Sequence, residues 1–185
     1  MASSKRDQLV STALELFYRE GYHATGIDRI LAESGVAKMT LYKHFKSKEE
    51  LILAVLDSQH QQLSQRMQFA LENLPPREAI LGTYEGLHLW LNEKGFRGCL
   101  FSHAAAEFSN PEHPVHQQAA LNKRFVCGFF LSALQRLGAP EPERLARQLQ
   151  FLFEGAMSMG HLYGPTDQAL VAKAAAEQLL EAAGV

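Results

Sequence analysis

The sequence predicts an all-α chain of about nine helices, and three observations point there. Alternating β-branched runs are missing, while Ala, Leu, Glu, Gln and Arg are plentiful. Apolar residues recur at helical spacing along nearly all of the 185 residues. Gly, Pro and Ser/Thr clusters cut that pattern into segments of helix length.

Taken in order, the first helix runs from about Ser4 to Glu20, with Val10, Ala13, Leu14 and Phe17 along one face and a cap-like "SKRD" at its start. Gly21, free to take a positive φ, ends it. Thr25 and Asp28 form a T-x-x-D arrangement that predicts Thr25 as the cap of a short helix bearing Ile27, Ile30 and Leu31. Gly35 stops that helix. A third short helix fits Ala37 to Phe45, and Ser47 with Glu50 makes a capping box opening a longer helix to about Leu71. Pro75-Pro76 marks a boundary before a helix from about Arg77 to Glu93. "KGFRG" is a turn, "CLFSHAAAEF" a short helix and "SNPEHP" a loop. Helices follow near Val115 to Leu137 and from Arg144 to about Leu162, separated by "GAPEPE". "GPTD" introduces a last Ala-rich helix ending near Ala183.

The composition, 46% hydrophobic and 21% charged, is that of a globular protein rather than a disordered one. The longest apolar runs are too short to span a bilayer, and no hydrophobic signal region follows "MASSKRDQ", so a cytoplasmic location is expected. Cys99 and Cys127 have no CxxC spacing and do not suggest a disulfide scaffold. Net charge is −2, so affinity for nucleic acid must come from a local patch. Lys38, Lys43, Lys46 and Lys48 are the strong candidates for it.

Two short helices joined through "ESGVA" are the core of a helix-turn-helix. On the second, Leu41 and Phe45 share a face and can pack towards Ile27, Ile30 and Leu31. That turns Lys38, Met39, Tyr42 and Lys43 to solvent, with Thr40 and His44 near the edges. A helix of this size fits the B-DNA major groove, and flanking lysines neutralise phosphate. Thr25 and Lys48, each at a helix N-terminus, add anion-favouring positions on either side. Tyr42 and His44 can hydrogen-bond phosphate oxygens, and Lys38, Met39, Thr40 and Lys43 fall where bases are read.

The stretch "ALELFYREGYHATGIDRILAESGVAKMTLYKHFKSKEELILAVL" resembles the N-terminal DNA-binding domain of TetR-family transcriptional regulators. Phe17, Gly21-Tyr22, Thr25, Ile30-Leu31, Gly35-Val36 and "TLYKHFKSKEEL" carry the resemblance. It implies a helix-turn-helix domain over residues 1–47 and a helical ligand-binding and dimerisation domain over 48–185, whose first helix, 48–71, connects the two. It also implies a regulator, most often a repressor, that binds a palindromic operator in double-stranded DNA as a homodimer and is released by a small molecule. By position, Thr25, Lys38, Thr40, Tyr42, His44 and Lys48 match places where such proteins touch DNA. Met39 and Lys43 fall where members vary. No cofactor is implied.

A dimer also follows from mechanism, since one short helix covers only a few base pairs and a two-fold protein suits a palindrome. The expected interface is the last two helices, through "GAMSMG" and a stripe of Leu170, Ala174 and Leu180. An effector pocket is expected among the middle helices, lined by His88, Phe101, His103, Phe125, Phe129, Met157 and His161. His103, Glu107, His113 and His116 have spacings that a zinc-like ion can use, although a simple His–Glu hydrogen bond explains the first pair equally. Cys99, after Arg97-Gly98, is a candidate oxidant sensor or a small buried residue. A helical enzyme would need a motif such as H-E-x-x-H, G-x-S-x-G or a phosphate loop, and none is present. An adaptor acting through protein contacts alone is the remaining alternative. Replacing Lys43 and Tyr42 would leave such an adaptor unchanged.

Overall fold

The computed structural model describes residues 4–164 and 167–185. Among these are nine helices and no strand: α1 Lys5–Glu20, α2 Ile27–Ser34, α3 Lys38–His44, α4 Lys48–Asn73, α5 Pro76–Leu91, α6 Leu100–Glu107, α7 Pro114–Leu137, α8 Pro142–Tyr163 and α9 Gln168–Ala182. The chain is all-α, as the periodicity predicts. Of the expected "GPTD" start to α9, Pro165 and Thr166 lie outside the described residues.

The helices divide into two compact units. The first takes the described residues up to Gln61 and, after a long excursion, Leu100–Leu121; the second holds Gln62–Cys99 and Asn122–Val185. The boundary expected from sequence, at residue 48, separated α6 from the N-terminal helices. The compact units instead join α6 and the start of α7 to them.

In the first unit, α1 opens with a reciprocal cap. The Ser4 hydroxyl accepts the Asp7 N–H at 3.1 Å, and the Asp7 carboxylate accepts the Ser4 N–H at 3.3 Å. Leu9, Ala13, Leu16 and Phe17 of α1 are buried with Tyr22, Ile30, Leu41, Phe45, Leu51, Ile52, Val55 and Leu56. Each large side chain of this set stabilises the unit by about 1.5–3 kcal/mol through removal from water. Ser47 caps α4 as expected, accepting the Glu50 N–H at 3.1 Å, while the Glu50 carboxylate reaches one residue further back, to the Lys46 N–H at 2.7 Å.

The second unit is built on α5, α8 and α9 packed together. Its centre is aromatic: Tyr84, Phe130 and Phe153 have ring centres 6.0–6.3 Å apart. The Tyr84 hydroxyl donates to the Leu149 carbonyl at 2.7 Å, and burial raises its pKa above the usual tyrosine range. Gly160 lets α8 approach α5, since a Cβ there would lie 2.8 Å from Leu91 Cδ2. On α9 the buried face is Ala169, Ala172, Ala176 and Leu180. The expected interface stripe is therefore split: Leu170 and Ala174 are exposed, whereas Leu180 belongs to the core. Successive steps of 4 and 6 residues drift around a helix of 3.6 residues per turn, and that drift carries Leu180 inward.

Candidate nucleic-acid interface

α3 is held from behind by Leu41, which is fully buried, and by Phe45, which follows the helix as an extended residue and is also buried. The opposite face is presented. Lys38, Met39, Tyr42, Lys43 and His44 are exposed, and Thr40 is half-buried. Met39 is 82% exposed. A lone exposed methionine is ordinary; one standing between lysines at the start of a presented helix is suited to a thymine methyl.

Lys38 Nζ lies 3.4 Å from the Asp28 carboxylate, with both side chains well exposed. Such a pair contributes at most about 1 kcal/mol and yields readily to a phosphate. Lys48 is more constrained. Its ammonium donates to the His23 carbonyl at 3.2 Å, and partial burial pulls its pKa down against the opposing charge of Glu107.

Thr25 departs from expectation. Gly26, not Thr25, caps α2, and no side chain caps that helix. The Thr25 side chain is fully buried, and its hydroxyl donates backwards to the Gly21 carbonyl at 2.7 Å. The T-x-x-D spacing suggested a cap because it ignored the carbonyl that Gly21 frees at the end of α1. In this arrangement Thr25 shapes the turn and can offer DNA only its backbone.

That turn is tied to α6. Glu107 accepts the Tyr22 N–H on Oε1 at 2.9 Å and the His23 N–H on Oε2 at 2.6 Å. The buried Tyr22 hydroxyl donates to the Leu100 carbonyl at 3.0 Å. Gly21 has φ 90°, a conformation that favours glycine, and a Cβ on it would lie 3.1 Å from Glu107 Oε1, so the carboxylate would have to give by a few tenths of an ångström. Phe108 stacks on His113 and lies against His23, with ring centres 4.7 Å apart in both cases. His116 Nδ1 is 2.8 Å from the Phe108 carbonyl, and His113 Nε2 is 3.8 Å from Glu49. Of the four residues weighed as metal ligands, Glu107, His113 and His116 have these other structural uses, and no set of three or more His, Cys, Asp or Glu converges on a metal position among the described residues.

Sequence reasoning missed two members of this surface. Glu107 was weighed only as a partner for His103, a metal or a ligand, because its true partners are backbone amides far away in sequence. Arg6 lies 5.5 Å from the Phe45 ring centre and adds a cation beside α3. "SKR" at the start of α1 carried that signal and was read only as a cap.

In the second unit an open cleft of about 730 Å³ runs between α4 and α7, lined by Gln68, Leu71, Phe125, Phe129, Ser132 and Arg136 among others. Of the expected pocket residues it includes Phe125 and Phe129 and no others. Met157 is buried core, His88 lies 3.4 Å from the Asn92 amide, and His161 is exposed with its ring 6.3 Å from Phe96. Phe101 and His103 are on α6, in the first unit. Aromatic content alone pointed to all of them, and core packing claims most aromatics.

Against known proteins, the sequence profile described as bacterial regulatory proteins, tetR family, matches residues 9–55. The crystal structure of SCO4454, a TetR-family transcriptional regulator from Streptomyces coelicolor, superposes with a TM-score of 0.92 at 32% identity, covering 98% of this chain and 96% of that one. This chain belongs to the TetR family of transcriptional regulators. Similarity extends to the HTH-type transcriptional regulator YjdC of Escherichia coli K12, 26% identical over 156 residues, or 83% of this chain and 82% of that protein. It is 54% identical over 52 residues to the HTH-type transcriptional activator FasR of Mycolicibacterium smegmatis, covering 28% of this chain and 24% of that one. As a TetR-family regulator it binds DNA and is not an enzyme.

Proposed function

We propose that this TetR-family regulator is a cytoplasmic repressor that grips a palindromic operator as a dimer and lets go when a small molecule fills its second unit. The observation that carries the DNA half is the presented face of α3, cationic and aromatic outside and anchored by Leu41 within. Lys38, Met39, Thr40 and Lys43 read bases. Tyr42, His44 and Lys48 hold phosphates, and Thr25 supports the turn behind them. Two copies about one helical turn apart, roughly 34 Å, meet successive major grooves.

The dimer half draws on α8 and α9. Phe151, Leu162, Tyr163, Leu170 and Val171 are all exposed there, a concentration of apolar surface that a second copy would cover. No helix among the described residues is long and apolar enough to cross a membrane. For the effector, the α4–α7 cleft replaces the wider pocket expected from sequence. Phe125 and Phe129 give it an apolar wall, and Ser132, Gln68 and Arg136 supply polar fixtures. An effector that prefers one separation of the reading helices lowers operator affinity by its differential binding energy. The α4 and α7 helices each run from one unit into the other and are the available routes.

Binding of selected operator DNA measured over a range of salt tests the reading. Lys48→Ala removes a phosphate contact and flattens the log–log salt slope by about 0.9, weakening all sequences alike. Lys43→Ala relaxes discrimination between operator variants. Identical behaviour of the two variants would refute the division into readers and anchors. Activity that survives replacement of Tyr42 and Lys43 together would restore the adaptor alternative.

A further inference from the structure

Beside the presented face of α3 stands a carboxylate that the division into base readers and phosphate anchors leaves without a role. Asp28 is the second residue of α2, and Lys38 is the first of α3. Ile30 and Leu41, both fully buried, fix the two short helices from within. On the outside Lys38 Nζ lies 3.4 Å from Asp28 Oδ1, with 61% and 87% of the two side chains exposed. The next cation in the chain, Arg29, is engaged elsewhere, by Glu20 at 3.5 Å and Glu33 at 3.1 Å. Lys38 is therefore the one ion-pair partner of Asp28 among the described residues. A pair so open to water stabilises the fold little, and a carboxylate on a surface that meets DNA repels phosphate. Asp28 works against affinity there unless a base offsets it.

One base pair has the matching edge. In the major groove a G·C pair presents two acceptors side by side, guanine N7 and O6, and then the cytosine N4 donor. O6 and N4 are hydrogen-bonded to each other across the pair, so they lie about 2.9 Å apart. An ammonium and a carboxylate 3.4 Å apart complement that edge in charge, order and spacing. We propose that Asp28 and Lys38 together read one G·C base pair in each operator half-site, Lys38 donating to guanine O6 and N7 and Asp28 accepting from cytosine N4. Each charge exchanges water for a base atom, so neither is stranded when the interface dries. The other three pairs fit worse, read from the lysine side to the aspartate side. C·G sets a donor against the ammonium and an acceptor against the carboxylate. A·T puts thymine O4 against the carboxylate, and T·A puts a methyl group where guanine N7 would be. Asp28 is thus a specificity-determining residue that acts as much by rejecting wrong pairs as by holding the right one.

The pair can read a base only if α3 is the reading helix, so the assignment rests on that reading, and the experiment tells the two failures apart. Full-length protein selects binding sequences from a randomised duplex pool. Affinities for single-position variants of the selected site are then measured for the parent, Asp28→Ala, Asp28→Asn and Lys38→Met. The parent is expected to require G·C at one position of each half-site and to lose about tenfold, the usual effect of one mismatched pair, when that position is changed. Asp28→Ala should bring this penalty down severalfold and leave the preference at every other position as it was. Those other positions also report that the variant is folded. Asp28→Asn keeps an oxygen for cytosine N4 and should hold an intermediate preference. Lys38→Met should abolish the preference at the same position, and adding Asp28→Ala to it should change that preference no further. An Asp28 that served only the first turn of α2 would alter stability and affinity but not base preference. Aspartate variants that bind every sequence more tightly by the same factor would overturn the proposal, since a carboxylate that only repels phosphate behaves that way. A selected site with no G·C position on which the Asp28 and Lys38 variants both act would overturn it too. A parent that enriches no sequence, or Lys38→Met and Lys43→Ala variants that discriminate as the parent does, would sink the α3 reading and this assignment with it.

Discussion

Replacing Glu107 by alanine removes the acceptor for two backbone amides, those of Tyr22 and His23, at 2.9 and 2.6 Å. A hydrogen bond to a charged group contributes about 1.5–3 kcal/mol. The two bonds are not equal. Tyr22 is fully buried, so its amide is left without a ready substitute, whereas His23 is exposed and water can replace the carboxylate there. The Tyr22 bond therefore counts in full and the His23 bond for a fraction, giving a loss of about 2–4 kcal/mol. Glu107→Gln keeps one neutral oxygen acceptor and should lose about half as much. In a unit of this size each kcal/mol lowers Tm by about 4–8 °C. The assay is chemical denaturation of the full chain paired with hydrogen exchange, because exchange reads the Tyr22 and His23 amides individually. Alanine should accelerate both, and glutamine should protect Tyr22 better than alanine does. A loss below about 0.5 kcal/mol with unchanged exchange at both amides would refute the reasoning, since effects that small are typical of featureless surface sites.

Thr25→Val removes the buried hydroxyl bonded to the Gly21 carbonyl and should cost about 1 kcal/mol while leaving the salt slope of operator binding intact. A slope reduced by one phosphate would instead return the Thr25 hydroxyl to the interface. Tyr84→Phe leaves the Leu149 carbonyl without its side-chain donor and should cost roughly 0.5–1.5 kcal/mol by denaturation. Burial raises the folded pKa of Tyr84, so its contribution is complete below the ordinary tyrosine value near 10 and is lost as pH climbs towards the folded value. The phenylalanine variant should lose less stability over that alkaline window than the parent, and equal slopes would contradict the assigned burial. Val171→Glu places a charge in the exposed apolar surface of α9 and should shift the protein to monomer in sedimentation experiments without lowering monomer stability. A variant that stays dimeric would move the interface elsewhere.

Much of the architecture was legible because its signals are local. Ser4 with Asp7, Ser47 with Glu50, and the glycines ending α1 and α2 each specify a helix boundary from residues a few positions apart. The face of α3 was legible for the same reason: Leu41 and Phe45 lie four apart, and whatever they bury fixes what Lys38, Tyr42 and Lys43 expose. The failures involve groups distant in sequence. Thr25 read as a cap because its real acceptor is an earlier backbone carbonyl, and Glu107 was assigned side-chain partners because backbone amides carry no residue-type signature. The pocket was over-assigned because nothing in a sequence tells a phenylalanine that fills the core, such as Phe130, from one that faces a cleft, such as Phe125.

The return of the chain to its N-terminal helices at Leu100 bears on how the protein is made and cut. A ribosome releases α1 to α3 long before Glu107 exists, so the nascent reading head must wait with the Tyr22 amide and hydroxyl lacking their acceptors. An excised head ending at residue 61 inherits that same deficit permanently. Anyone grafting this DNA specificity onto another regulator should carry residues 100–121 with it, as a second strand of the transplant, or accept a head that frays at its first turn.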